Sequence, residues 1–155
     1  LRIIMSSDIS LNFYTIKSDF NDILIRLCDK ILCSSENTYV NYENEDLKKE
    51  GDRMLWTKQK NNFVPHKVLG EKISIRDRII LFSGRYNKLQ ILETFKSIII
   101  SPQVKVGRFQ LFKKFLVFSY LDDDKFNSVI KKNLIAKGFN IKWYDECSPL
   151  KWKLR

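Results

Sequence analysis

Apolar positions along this chain follow two rhythms. Leu11-Asn12-Phe13-Tyr14-Thr15-Ile16 is rich in strand-forming residues and predicts a first strand. Ser18 and Asp19 then offer a helix cap. After them Phe20, Ile23, Leu24, Leu27, Cys28, Ile31 and Leu32 recur at steps of three and four, the stripe of an amphipathic helix. Thr38–Tyr42 predicts a short strand. A second helix is predicted from about Glu45 to Trp56, with Leu47, Met54 and Leu55 inward and Gly51 as its weak point. Residues 57–72 are polar, hold Pro65, and predict a long loop ending near Gly70.

Three later runs, Ile79–Phe82, Ile98–Ile100 and Phe115–Tyr120, are continuously apolar, as in strands buried on both faces. Asp122, Asp123 and Asp124 put negative charge where a helix begins. Phe126, Val129, Ile130 and Leu134 form its stripe, and Gly138 sits at its C-terminal cap. Phe139–Trp143 predicts a short final strand. Strands alternating with helices predict an α/β fold: an open, mostly parallel sheet covered by helices.

The 155 residues predict one domain with its core at about 10–145. Leu1 is not methionine and Met5 follows closely, so 1–5 reads as an extension or an alternative start, with the fold beginning after Met5. No run reaches the roughly 18 apolar residues of a membrane span. Three cysteines without a Cys-x-x-Cys pair argue against a disulfide framework or zinc site and for a reducing cytoplasm.

Charge is unevenly placed: nine Lys/Arg against ten Asp/Glu in 1–66, but nineteen against eight in 67–155. A basic half suits an acidic partner or nucleic acid. Equally, a chain rich in Lys, Ile and Asn acquires scattered surface lysines from an A/T-rich genome.

Signs of catalysis are few. The lone histidine, His66, excludes His-rich metal clusters, and a Cys/His pair would have to form in space. The scattered glycines build neither a P-loop nor a dinucleotide fingerprint. Glu43, Glu45 and Asp46 read as helix N-terminal charges. The sequence therefore predicts no catalytic site, no cofactor and no metal.

Two surfaces carry more information. Trp56, Phe63 and Pro65 flank the polar loop, as core residues or as a protein-binding patch. On the last helix Lys125, Ser128, Lys131, Lys132 and Ile135 fall opposite the buried stripe. That face is either simply solvated or a seat for an acidic peptide with an apolar end.

Met54-Leu55-Trp56, a polar spacer, Phe63-Val64-Pro65-His66-Lys67 and Gly70-Glu71 resemble the central signature of the chi subunit family of bacterial DNA polymerase III. Asn12-Phe13-Tyr14 and Gly138-Phe139-Asn140 are similar to that family's beginning and end, while residues 83–114 have no recognisable counterpart. The resemblance implies a Rossmann-like fold without a nucleotide site. It also implies a cytoplasmic, non-catalytic clamp-loader accessory that pairs with the psi subunit and grips the acidic, phenylalanine-terminated tail of single-stranded-DNA-binding protein, meeting DNA mainly indirectly.

By the same resemblance, Trp56 and Phe63 face psi, or another protein using that surface, and Pro65 is expected in the same interface. Lys132 binds the tail together with Lys125, Lys131 and Ile135, and Val117 receives the tail's apolar end. The chain departs from the family in having Ser128 where an arginine is usual and Lys131 where an aromatic is common, so lysine point charges replace a guanidinium fork. A basic module binding nucleic acid directly is the alternative, and an enzyme using His66 a third.

Overall fold

A computed structural model describes residues 4–57, 64–105, 109–120 and 128–155. Among these residues, seven parallel strands and one antiparallel strand form a single sheet in the order β3-β4-β2-β5-β6-β1-β7-β8. These are β1 (Ser10–Ile16), β2 (Thr38–Tyr42), β3 (Lys67–Val68), β4 (Ile79–Ser83), β5 (Ser97–Ile100), β6 (Lys114–Tyr120), β7 (Asn140–Ser148) and β8 (Lys151–Leu154). Among the described residues three α-helices accompany them: α1 (Phe20–Cys33), α2 (Glu45–Thr57) and α3 (Ser128–Ala136). The α/β architecture expected from the alternation is the one found.

Continuous apolar runs become strands buried on both sides because the sheet separates two cores. On one face α1 lays Phe20, Ile23, Leu24, Cys28 and Ile31 on Val40, Leu81, Ile99, Leu116 and Phe118. On the other, Phe13, Tyr39, Ile98, Phe115 and Val117 join Phe95, Phe112, Leu134 and Trp143. Successive strand side chains alternate between these cores, so β6 feeds Leu116 and Phe118 to one and Phe115 and Val117 to the other.

Helix α1 is secured at both ends. The Asp19 carboxylate caps its start by accepting from the Asn21 N–H at 3.1 Å. At its end the Arg78 guanidinium donates to the carbonyls of Ile31 (2.8 Å), Leu32 (2.9 Å) and Glu36 (2.8 Å), and also to that of Ser34. Carbonyls left without helical partners thus meet a cation, which also suits the helix dipole. Helix α3 ends where Gly138 turns with φ +89, its N–H bonded to the Ile135 carbonyl at 3.0 Å.

Gly51 does not interrupt α2. It is buried, and a Cβ there would collide with the Tyr42 hydroxyl, so the helix needs glycine to approach β2.

Several expectations need correction. Residues 57–72 are not loop throughout, since Lys67–Val68 pairs with Ile80–Leu81 as an edge strand. The final strand is nine residues long and turns back into β8, which antiparallel pairing joins to it. Packing extends past both ends of 10–145: the Ile4 N–H donates to the Gln110 carbonyl at 2.8 Å, and Trp152 lies 5.1 Å from Tyr14, edge to face. Asp122–Asp124 and Phe126 lie outside the described residues.

Candidate functional site

The turn after β1 is where open parallel sheets often hold a phosphate on free backbone N–H groups. Here a carboxylate of the chain fills that place. Glu146, on β7 and 3% exposed, accepts from the N–H groups of Lys17 (2.6 Å) and Ser18 (2.8 Å) through one oxygen. Its second oxygen accepts from the Ser18 hydroxyl (2.6 Å) and the Leu150 N–H (2.7 Å). Burial opposes the charge, but these hydrogen bonds outweigh it and hold the carboxyl below its ordinary range. At the first turn of α1 the Phe20 N–H donates to the Tyr120 hydroxyl at 3.0 Å.

A second cluster forms at the end of α2. The Val64 N–H donates to the Leu55 carbonyl at 2.9 Å, drawing the incoming segment against the helix. His66, buried, has Nδ1 2.6 Å from the Val64 carbonyl and Nε2 2.5 Å from Asp52 Oδ1. Both ring nitrogens thus lie within hydrogen-bonding distance of an acceptor. Trp56 packs on this histidine with ring centroids 5.1 Å apart, yet keeps 48% of its surface exposed. Pro65 is exposed between buried Val64 and His66. The structure therefore brings Trp56 and Pro65 to one surface corner, backed by the Asp52–His66 pair. Phe63 lies outside the described residues.

The third region is the outer face of α3. Lys132 is exposed, and Ile135, three residues on and so on the same face, is 53% exposed. Leu134 points the other way into the core at 6%. Lys125 lies outside the described residues, as does the side chain of Lys131. Val117 is a correction: at 2% exposure it sits mid-strand between Phe13 and Ile100, sealed within the core, so nothing can rest on it without displacing that packing. Among the described residues, Ile135 is the exposed apolar group of this face.

Sequence reasoning missed Glu146 and Asp52. Each lies far along the chain from part of its setting, and a lone carboxylate carries no motif. Among the described residues no group of three or more His, Cys, Asp or Glu could hold a metal ion. No helix there is long and apolar enough to cross a membrane.

Fold and surfaces together define an open, mostly parallel α/β protein of Rossmann-like architecture. Its exposed features include an aromatic corner and a lysine-bearing helix face. The model of the DNA polymerase III chi subunit (HolC) family matches residues 9–127, about three quarters of the chain, and the chain belongs to that family. It is thus a DNA polymerase III accessory subunit, a protein of DNA replication. The match runs through 83–114, where the sequence offered no counterpart, while α3, β7 and β8 follow it.

Among solved structures, the helicase domain of Pyrococcus furiosus Hef is similar, with a TM-score of 0.53 and 14% identity. The similarity covers 94% of this chain but 36% of that one, so the chain spans about a third of its length, and the likeness shows the fold alone. A comparison with curated proteins finds no match.

Proposed function

We propose that this chi-family protein is a non-catalytic cytoplasmic bridge between the clamp loader and single-stranded-DNA-binding protein. The exposed corner of Trp56 and Pro65 receives the psi subunit, and Phe63 is assigned to the same interface by the family resemblance. The outer face of α3 receives the acidic tail of single-stranded-DNA-binding protein, so that contact with DNA is mainly indirect.

The observation that carries the reading is the pairing of Lys132 with exposed Ile135 on one helix face. A carboxylate is drawn by the lysine, and Lys125 and Lys131 are assigned to the same site from the sequence. The terminal phenylalanine ring removes apolar surface of Ile135 from water. Lysine offers a point charge without a guanidinium fork, so encounter rate is favoured over geometric selectivity.

Titration with a fluorescent acidic peptide ending in Pro-Phe tests this. Saturable binding that is lost when the final Phe is removed supports it. Salt-sensitive binding of bare single-stranded DNA with no response to the peptide overturns it in favour of a basic nucleic-acid module. At the other surface Trp56→Ala should weaken psi capture by about thirtyfold, the size of an interface hot spot. Unchanged capture would remove Trp56 from that interface.

A further inference from the structure

Between the first turn of α1 and the middle of α2 lies a cavity of about 160 Å³ that none of these surfaces uses. It opens at the C-terminal ends of β2, β5 and β6. From β2 the chain moves to β3, beyond β4 on one side, and from β5 to β6 on the other, so the cavity stands where strand order reverses. Open α/β sheets characteristically bind ligands at such a point.

Its walls are Phe20, Tyr42, Leu47 and Pro102, with Tyr120 beside them and the acidic residues Asp19 and Glu50 also lining it. No described cationic residue lines it. In a chain of net charge +10 this is a local reversal of sign. Burial, and then nearby groups that include both carboxylates, hold the Tyr42 hydroxyl above its ordinary range. The Tyr42 hydroxyl is oriented by donating to Asn21 Oδ1 at 3.0 Å, and the Phe20 and Tyr42 rings meet edge to face at 6.0 Å.

Size and sign choose the ligand class. A volume near 150 Å³ holds a benzene-sized guest, whereas small-molecule sites begin at about 300 Å³, so a nucleotide does not fit. Two carboxylates repel an anion. Aromatic walls favour a cation, and Arg-type groups in particular, because their π faces are negative. We propose that this cavity binds a guanidinoalkyl cation, its planar head between the Asp19 and Glu50 carboxylates and its stem against Phe20, Leu47 and Pro102. The shared chemistry covers a free small guanidine and an arginine side chain of a partner protein.

The test is an NMR titration of the full ¹⁵N-labelled chain with agmatine, with uncharged N-butylurea, and with acetyl-Gly-Arg-Gly-amide. Agmatine should give saturable shifts at the amides of Asn21, Glu50 and Gln103, and N-butylurea should not. Asp19→Asn keeps a competent helix cap and Glu50→Gln is a surface change, so both variants fold. Each should weaken agmatine binding about fivefold, the upper range for one accessible charge pair. Lys132→Ala should leave it unchanged, which separates this site from the proposed tail site. Peptide binding at least as tight as agmatine assigns the cavity to a partner's arginine, and weaker binding assigns it to a free guanidine. Absence of saturation, equal response to N-butylurea, or full affinity in both variants would overturn the proposal.

Discussion

The two helices α1 and α3 lie on opposite faces of one sheet and are held in opposite ways. Around α1 the polar ends are claimed: Asp19 caps the start, Arg78 gathers four carbonyls at the end, and Tyr120 takes the Phe20 N–H. On α3 the end is closed by the backbone of Gly138, and the outward Lys132 and Ile135 have no described partner. The two ends of α1 are therefore tied into the fold, whereas the described outer side chains of α3 are not. Substitutions at Arg78 and on the outer side of α3 should differ accordingly, in unfolding for the first and in binding for the second.

The largest expected effect is at Arg78. Arg78→Ala strips donors from the carbonyls of Ile31, Leu32, Ser34 and Glu36 together. Hydrogen bonds to charged groups contribute about 1.5–3 kcal/mol, and water can replace part of this half-buried set, so a loss of about 3 kcal/mol is expected in urea unfolding. Arg78→Lys should recover less than half, because one ammonium cannot span the fork. A loss below about 1 kcal/mol would show that the end of α1 does not depend on this residue.

Gly51→Ala comes next. Its new methyl would overlap the Tyr42 hydroxyl and ring, and overpacking of this kind costs about 1–3 kcal/mol. The intrinsic helix preference of alanine over glycine acts in the opposite direction by about 1 kcal/mol. Net destabilisation of about 1–2 kcal/mol is expected. A more stable variant would mean that Tyr42 moves aside freely and is not fixed by its bond to Asn21.

Glu146 gives a pH-dependent version of the contrast. Its carboxyl is held below the ordinary range in the folded protein, so its contribution is fully present above the unfolded value of about 4.3. That contribution is lost as pH falls through the depressed folded value. Glu146→Gln should lower stability by about 1–2 kcal/mol at pH 7, since the donors of Lys17, Ser18 and Leu150 lose a charged acceptor. Below pH 4 the gap between the two proteins should narrow in urea midpoints, and a constant gap would show that Glu146 is not the titrating group.

How far the sequence could be read follows the same division. Strands with continuous apolar runs announced themselves, because burial on both faces demands such runs. The stripe of α1 and the turn at Gly138 were equally plain. β8 was not, since Lys151-Trp152-Lys153-Leu154 places one aromatic against Tyr14 and is otherwise exposed. Nor was the true length of β7, because Asp145 and Glu146 break the apolar pattern and only the fold supplies the N–H groups that hold Glu146. Val117 had the right chemistry for an apolar contact, but depth is a property of the sheet and not of the residue. The guanidine-sized cavity joins Tyr42 to Tyr120 across most of the chain, a proximity no local pattern encodes.

The smallest expected effect on stability is on α3. Lys132→Ala and Ile135→Ala remove side chains already in water, and surface changes of this kind stay within about 0.5 kcal/mol. Alanine is also the better helix former in both cases, so a slight gain is as consistent as a slight loss. The same variants should weaken an acidic Phe-terminated peptide by about fivefold for the lysine, as for an accessible charge pair, and by about threefold for the isoleucine. The lysine effect should shrink as salt rises and the isoleucine effect should persist, because screening acts on charge and not on apolar contact. Equal salt dependence of the two variants would mean that Ile135 acts through helix geometry and not by touching the peptide. Loss of stability beyond about 1 kcal/mol in either would place these residues in the packing of the fold and erase the contrast with α1.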